Sequence, residues 1–377
     1  MLSFNRTVVI LQLKENPAGV AATKKVFLKI ADRNNIRRIL LSRLRFMGDV
    51  ILTTPLIRRL KEVFPHAQLS YLTQDTFAPL LLHNPHLDEV MAFPSQGSLV
   101  AQWQAYSQLR RRRFDLAIDL FGNPRTALMT WLTGAPIRVG GDFRGRGKLY
   151  NVRVPAPAIE TNAIDFHWRS LEALGITKSE PRTEIFITAQ EKQSAREFLN
   201  DYHLDLARPI AGLHPGASWP NKRWPEKHFA ELARRLVDHH VQVVITQGPG
   251  EEKIALDVMR QIPPPQSSTS RNAVILLPVL PLRQLASIQQ HMRVFVSNDC
   301  GVMHLAVAAG TPTIGLFGSS QPRIWFPYHQ ADGHLALWHE IECRPCHKNF
   351  CPLGHLDCQN KLLPERVVAA VLERLPF

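Results

Sequence analysis

A glycine and a carboxylate follow the first β-like run of the chain. Gly48 and Asp49 lie between that run and a helical pattern. In an open α/β sheet, a turn of this kind lies at the mouth of the ligand cleft, where a carboxylate can accept a proton as a general base. The same position also suits a residue that caps a helix. Spacing alone therefore leaves Asp49 as either a catalytic base or a helix cap.

A second turn has the composition of an anion-binding site. It lies between His214 and Pro225 and combines a glycine with the hydroxyl of Ser218 and the amine of Lys222, ahead of a helical pattern. Helix amides and an ammonium group both favour phosphate oxygens. The segment does not have the spacing of a Walker loop, and a solvent-facing turn is the alternative interpretation.

A third segment repeats this order of strand, polar turn and helix. Asp299, Cys300 and Gly301 form its turn, and His304 lies one helical turn further on. Because glycine has no side chain, Gly301 would let backbone amides approach a diphosphate closely. The second and third segments together predict a diphosphate site.

Basic residues surround a glycine-rich stretch at residues 140–147. A cationic loop there suits an acceptor that carries phosphates and sugar acids. A solvated surface loop is the alternative. The residues concerned are Arg125, Arg138, Arg144, Arg146 and Lys148.

Four of the five cysteines are packed into one short stretch with the spacing C-x2-C-x4-C-x6-C. This pattern permits a tetrahedral zinc site or a disulfide. It does not resemble the disulfide framework of a secreted domain, so we predict a reduced loop without a metal. The cysteines are Cys343, Cys346, Cys351 and Cys358, with His347 and His355 between them.

Length and composition set the broad class. The 377 residues predict two domains. An excess of 45 Lys and Arg over 32 Asp and Glu gives a formal net charge of +13, which favours anionic partners such as nucleic acid, phosphorylated sugars or an acidic membrane surface. No apolar run approaches the roughly 18 to 20 residues that span a bilayer, and no convincing signal-peptide cleavage site follows the N-terminus. We therefore expect a cytoplasmic protein.

Two series of β-like runs alternate with helical patterns, which predicts parallel sheets covered by helices. The polar stretch at residues 177–188 is the best linker candidate, and residues 1–35 fit neither series. The predicted strands are residues 38–44, 68–73, 88–92, 115–120, 209–213, 242–246, 273–277, 294–297 and 313–317. The predicted helices are residues 55–64, 99–113, 225–239 and 251–261.

On the three turns, the chain resembles glycosyltransferase family nine, the bacterial ADP-heptose:lipopolysaccharide heptosyltransferases, and within it the heptosyltransferase II or III type. The resemblance rests on Gly48 and Asp49, on His-Pro-Gly-Ala from His214, and on Asn-Asp-x-Gly-x-x-His-Leu-Ala from Asn298. It covers residues 36 to about 375. It implies the α/β GT-B fold, in which two Rossmann-like domains face a central cleft.

The resemblance also implies a domain division. Residues 1–35 form an unassigned extension, residues 36–182 the acceptor domain, and residues 183–377 the nucleotide-sugar domain. An alternative within this division is that the last helix packs back on the N-terminal domain.

Roles for individual side chains follow from the same resemblance. Asp49 would deprotonate the acceptor hydroxyl in an inverting transfer. Cys300 stands where the family usually has Thr or Ser, so a weak thiol donor replaces a hydroxyl. The donor-binding residues would be Ser218, Lys222, Glu252, Asp299, Cys300, Gly301 and His304. The acceptor-binding residues would be Arg58, Arg125, Arg138, Arg144, Arg146 and Lys148.

The function implied is transfer of heptose from ADP-heptose to the inner core of lipopolysaccharide, without a metal or other cofactor. The enzyme would work peripherally on the cytoplasmic face of the inner membrane, and nucleic acid is not an expected partner. Two alternatives are a nicotinamide-dependent oxidoreductase and a basic nucleic-acid-binding protein. The chain has no G-x-G-x-x-G after its first strand, which argues against the oxidoreductase. It also has no recognised nucleic-acid motif, which argues against the nucleic-acid-binding protein.

Overall fold

Two six-stranded parallel sheets form the framework of the protein. The computed structural model describes residues 35–94, 99–143, 145–263 and 273–375. The predictions for residues 1–34 and for Arg144 lie outside these described residues. The first sheet contains β1 Arg38–Ser42, β2 Gln68–Gln74, β3 Glu89–Phe93, β4 Leu116–Asp119, β5 Ile137–Gly141 and β6 Val152–Val154. The second contains β7 Ile210–His214, β8 Gln242–Ile245, β9 Val274–Leu276, β10 Val294–Asn298, β11 Thr313–Phe317 and β12 Leu335–Trp338.

Helices connect the strands in both halves. In the first half they are α1 Met47–Leu52, α2 Thr54–Val63, α3 Leu99–Arg111, α4 Pro124–Leu132 and α5 Ala163–Glu172. In the second half they are α6 Ala189–Asp201, α7 Glu226–Asp238, α8 Glu252–Gln261, α9 Leu282–Gln289, α10 Gly301–Ala308, α11 Pro322–Trp325, α12 Asp357–Asn360 and α13 Pro364–Leu372.

Both sheets have the strand order of a dinucleotide-binding fold. The first runs β3-β2-β1-β4-β5-β6, and the second runs β12-β11-β10-β7-β8-β9. Each order reverses direction at its middle, between β1 and β4 and between β7 and β10, and all the pairings are parallel. Ligands of such sheets bind at the carboxyl ends of the strands beside the reversal. The predicted α/β class with two doubly wound sheets is confirmed.

Burial explains why these segments form strands. Every residue of β7, β10 and β11 is buried, as expected for central parallel strands with helices on both faces. All nine predicted strands form, with ends shifted by one or two residues. Three further strands, β5, β6 and β12, were not predicted. β5 ends in two glycines and β6 has three residues, so neither shows a long β-branched run.

The last helix packs in the second half of the protein. The buried side chains Val367 and Val371 of α13 belong to one apolar cluster with Phe229 and Leu236 of α7. This position differs from the alternative in which the last helix packs back on the N-terminal domain. Instead its apolar stripe fills the outer side of the second core, where it excludes water from α7. The domain boundaries themselves stay a prediction.

The two halves meet where α1 and α10 begin. A Cβ atom on Gly48 would lie 2.6 Å from Cδ2 of His304, and one on Gly301 would lie 2.5 Å from Cε of Met47. The glycines therefore allow the first turns of the two helices to touch. This contact joins the carboxyl end of β1 to the carboxyl end of β10. None of the described helices is long and apolar enough to cross a membrane.

A second set of contacts ties the connecting segment to the first half. Residues 176–188 contain neither helix nor strand and run from α5 to α6. Arg58 of α2 bonds the Glu184 carboxylate at 2.9 Å and the Glu180 carbonyl at 2.9 Å. The connection is thus held against the first half along its length.

We expect Gly48→Ala to destabilise the protein, although alanine is favoured over glycine in a helix by about 1 kcal/mol. The added methyl would collide with the buried His304 ring, and overpacking of this kind costs about 1 to 3 kcal/mol. Urea unfolding measures the change. Gly301→Ala is the matched comparison, and we expect a smaller loss there, because the nearest neighbour of its added methyl is the flexible end of Met47. A Gly48→Ala protein as stable as wild type would show that the helices separate without cost.

Candidate active site

Asp49 lies in the first turn of α1 and is paired with a cation from its own half. Its Oδ1 is 2.5 Å from Nη2 of Arg43, and its Oδ2 accepts a hydrogen bond from the Phe46 amide at 3.3 Å. Arg43 also donates to the Leu120 carbonyl at 2.9 Å and stacks over Phe121. The Asp49 side chain is 16% exposed, so it is held in one orientation while remaining open to a ligand. No motif in the sequence points to Arg43, because an arginine at the end of a strand has no distinctive spacing.

A buried carboxylate and a lysine face this turn from the second half. Lys222 Nζ lies 2.7 Å from Oδ2 of Asp299, which also accepts a hydrogen bond from Ser320 at 2.5 Å. Asp299 is 4% exposed, and Lys222 stacks over Trp219. An ammonium group has three donors, and this ion pair uses one of them. Lys222 therefore keeps donors for an anionic ligand.

His304 lies between the two carboxylates. Its Nδ1 is 2.6 Å from the Tyr328 hydroxyl, and its ring packs on Gly48. Burial lowers the pKa of His304 to about 4, and the nearby Asp299 and Asp49 oppose this shift. The imidazole is thus neutral at pH 7. Its contact with Gly48, and that of Gly301 with Met47, bring the turn that carries Asp49 close to the turn that carries Asp299.

Cys300 directly precedes α10 and belongs to a polar cluster at the carboxyl ends of β7 and β10. Its Sγ lies 3.4 Å from the Ser297 hydroxyl. His214 is 3.2 Å from Glu251 and 3.0 Å from Thr246. Burial alone would lower the pKa of His214, but Cys300 and Glu251 raise it to about 10. The cluster places a cationic imidazole at the end of β7.

Two other predicted donor residues lie at the surface. Ser218 is exposed, and Glu252 is an exposed residue whose carboxylate accepts a hydrogen bond from the Gly250 amide at 3.2 Å. The neighbouring Glu251 points inward to His214. Because adjacent residues at a helix start point in different directions, spacing could not distinguish the two glutamates. The donor roles of Ser218 and Glu252 stay predictions.

The predicted acceptor residues do not form one group. Arg58 is engaged by the connecting segment, and Arg138 donates to the carbonyls of Leu149 and Ala135 at 3.0 and 2.7 Å. These bonds commit both guanidinium groups to the fold of the first half. Arg125 and Lys148 are exposed, and Arg146 is half-buried.

The four clustered cysteines line one cavity. They are free thiols, as is Cys300, and the described residues contain no set of three or more ligating side chains arranged to hold a metal ion. The loop that carries them packs in the second half, against Gly318, Ser320 and Asn221. Arg344 donates to the carbonyls of Gly318 and Ser320 at 2.7 and 3.0 Å, and the Asn221 amide bonds Asn349 at 3.3 Å. The loop therefore supports the segments that hold Ser320 and Lys222.

Solved structures share this architecture. A family 9 glycosyl transferase from Veillonella parvula DSM 2008 superposes with a TM-score of 0.78 at 24% identity, over 90% of this chain and 97% of that one. The ADP-heptose lps heptosyltransferase II of E. coli superposes with a TM-score of 0.72 at 21% identity, over 90% and 98%. The fold is therefore the GT-B fold of glycosyltransferases.

Sequence comparison identifies the family. The model of glycosyltransferase family 9 (heptosyltransferase) matches residues 103–357. Lipopolysaccharide heptosyltransferase 2 of Escherichia coli K12 is 28% identical over 74% of this chain and 81% of its own length. Lipopolysaccharide heptosyltransferase 3 of Escherichia coli is 24% identical over 78% and 87%. The chain belongs to glycosyltransferase family 9, the heptosyltransferases. The predicted family and enzyme class are confirmed, and the oxidoreductase and nucleic-acid alternatives are not supported.

The pKa of His304 predicts a dependence of stability on pH. Because its folded pKa is about 4 and its unfolded value is near 6.5, the unfolded chain binds an extra proton between these pH values. The free energy of unfolding should therefore fall as the pH drops below 6.5. Between pH 7 and pH 5, the free energy of unfolding of His304→Gln should fall by up to about 2 kcal/mol less than that of wild type.

Urea unfolding at pH 7 and pH 5 measures this difference. His239→Gln is the matched control, because His239 is exposed. The same loss of stability in wild type, His304→Gln and His239→Gln would contradict the assignment of a neutral, buried imidazole.

Proposed function

We propose that this enzyme transfers heptose from ADP-heptose to a sugar of the lipopolysaccharide core, with inversion at the anomeric carbon. The relatives named above are lipopolysaccharide heptosyltransferases. One observation carries the assignment of roles. Asp49 of the first half and the Lys222–Asp299 pair of the second half lie on the two turns that touch where α1 and α10 begin, at Gly48, Gly301 and His304.

The donor binds in the second half under this proposal. Its diphosphate lies against the first turn of α10, where Gly301 leaves the amides accessible, and against the ammonium of Lys222. Negative charge grows on the diphosphate as the glycosidic bond breaks. Fixed amide dipoles and Lys222 stabilise that charge without reorganisation, so they favour the transition state. Asp299 holds Lys222 and accepts hydrogen bonds from sugar hydroxyls.

The acceptor binds in the first half, next to Asp49. The Asp49 carboxylate takes the proton of the acceptor hydroxyl as its oxygen attacks the anomeric carbon. The base and the leaving diphosphate belong to opposite sides of the junction, which favours a single displacement with inversion. Arg43 keeps the carboxylate oriented toward the substrate.

We extend the proposal to the location of the enzyme and to its cofactors. The net charge of +13 supports peripheral binding to the anionic cytoplasmic face of the inner membrane. Lys222 and the α10 amides supply the charge stabilisation of the transfer, and no metal or other cofactor takes part.

Release of ADP from ADP-heptose tests the function directly. We expect release to depend on a truncated lipopolysaccharide core acceptor and to continue at the same rate with a chelator present. Asp49→Asn keeps the shape of the side chain and removes the base, so turnover should fall by about 100-fold or more. ADP binding should remain. Wild-type turnover in Asp49→Asn would exclude Asp49 from the reaction, and acceptor-independent release would contradict the transfer.

Replacement of Lys222 tests the diphosphate site. We expect Lys222→Ala to raise the Kd for ADP by about 10-fold or more, because a charge-assisted hydrogen bond is lost. Titration calorimetry measures the Kd, and Lys222→Arg should restore part of the affinity. The control is Lys227→Ala, which removes an exposed lysine from the same half. Equal ADP affinity in the Lys222→Ala and Lys227→Ala proteins would place the diphosphate elsewhere.

A further inference from the structure

Lys222 belongs to the segment of residues 215–224, which connects β7 to α7 and is called the lysine loop below. Ser218, near the middle of this loop, is exposed, whereas Trp224 at its end is 1% exposed. The lysine loop therefore projects from the fold in its middle and is anchored at its ends. None of the roles assigned above includes a residue that joins those ends.

One buried side-chain amide bonds both ends of the lysine loop. Asn298, the last residue of β10, is fully buried. Its Oδ1 accepts a hydrogen bond from the Trp224 amide at 2.9 Å, and its Nδ2 donates to the Pro215 carbonyl at 2.8 Å. The same Nδ2 lies 3.4 Å from the Gly216 carbonyl. Asn298 thus closes the base of the loop.

The partners of Asn298 define the chemistry that its position requires. A backbone N–H can only donate and a carbonyl can only accept, so the side chain must offer one acceptor and one donor at the same time. The amide of asparagine has both. A side chain without this pair of groups would leave a buried N–H and a buried carbonyl without partners, which is costly in the interior of a protein.

The residue that follows Asn298 bonds the cationic side chain of the same loop. Asp299 pairs with Lys222 at 2.7 Å. Two consecutive residues at the end of β10 therefore hold the lysine loop, one by the backbone at its base and the other by its ammonium group. An open base would let the backbone of Lys222 move away from Asp299. The two contacts consequently depend on each other.

We propose that Asn298 is a positioning residue for donor binding. By closing the base of the lysine loop, it sets the position of the Lys222 ammonium relative to Asp299 and the first turn of α10. Asn298 is fully buried and acts through Lys222. A group that is held in place before binding loses less conformational entropy when the ligand arrives, so the closed loop raises the affinity for the diphosphate. The inference rests on the proposed function, because it assumes that the diphosphate lies against Lys222.

Titration calorimetry with ADP tests the effect on affinity. Asn298→Leu keeps the volume of the side chain and removes both hydrogen bonds, so we expect the Kd for ADP to rise by about 10-fold or more. Asn298→Ala should act in the same direction. With ADP-heptose, the KM for the donor should rise and the KM for the acceptor should stay unchanged.

Gln242→Leu is the matched control. Gln242 is 3% exposed and begins β8, at the opposite edge of the same sheet. Its Oε1 accepts a hydrogen bond from the Asp205 amide at 2.8 Å, and its Nε2 donates to the Asp205 carbonyl at 2.7 Å. The control thus removes a buried side-chain amide that bonds the backbone in the same way. The Kd for ADP of Gln242→Leu should equal that of wild type.

A double replacement distinguishes positioning from a general loss of stability. If Asn298 acts through Lys222, the change Asn298→Leu should raise the Kd for ADP much less in a Lys222→Ala background than in wild type. A purely structural role of Asn298 would give the same factor in both backgrounds.

Hydrogen exchange without a ligand tests the clamp itself. The Trp224 amide of the wild-type protein should exchange slowly, because it is buried and bonded to Asn298. In Asn298→Leu it should exchange about 10-fold faster or more, and in Gln242→Leu it should exchange as in wild type. The measurement on wild type does not depend on the folding of any variant.

Three results overturn the proposal. They are rapid exchange of the Trp224 amide in wild type, a Kd for ADP in both Asn298 variants equal to that of Gln242→Leu, and an equal effect of Asn298→Leu with and without Lys222. If Lys222→Ala binds ADP as tightly as wild type, the proposed diphosphate site fails instead. The clamp is then tested by exchange alone, and slow exchange of the Trp224 amide in both wild type and Asn298→Leu would overturn it.

Discussion

The approach of two helix N-termini is the constraint on which the site depends. The first turns of α1 and α10 touch because Gly48 and Gly301 have no side chains at the contact. Each helix follows a central strand of its own sheet, so this contact aligns the carboxyl edges of the two sheets. A β-carbon on Gly48 would meet the buried ring of His304. The site therefore depends on the close packing of α1 against α10.

Each half of the protein contributes one ion pair to the site. Asp49 is paired with Arg43 from the first half, and Asp299 with Lys222 from the second. Removing carboxylates from water is costly unless they are paired and hydrogen-bonded, and each half meets this cost with its own cation. The two carboxylates differ in exposure, at 16% for Asp49 and 4% for Asp299. The more exposed one is suited to meet a mobile acceptor, and the buried one to hold a lysine in place.

Loops away from the junction support these pairs. Arg344 in the cysteine-rich loop bonds the backbone of Gly318 and Ser320, and Ser320 bonds Asp299. On the other side, Arg43 connects the Asp49 carboxylate to the ring of Phe121. Asp49 and Asp299 are thus both oriented by side chains that themselves contact the backbone of neighbouring segments.

The sequence by itself determined the fold class and three of the turns that carry the site. Alternating buried runs and amphipathic helices specify two parallel sheets, and Asp49, Lys222 and Asp299 follow their strands in a recognisable order. Tertiary structure alone decided which neighbours serve the site. It turned Glu251 inward and Glu252 outward, engaged Arg58 and Arg138 with carbonyls or carboxylates of the fold, and placed Arg43 against Asp49. The physical reason is that local patterns fix backbone periodicity and helix ends. The partner of a long charged side chain can lie far away in the chain, as the bond from Arg43 to the Leu120 carbonyl shows.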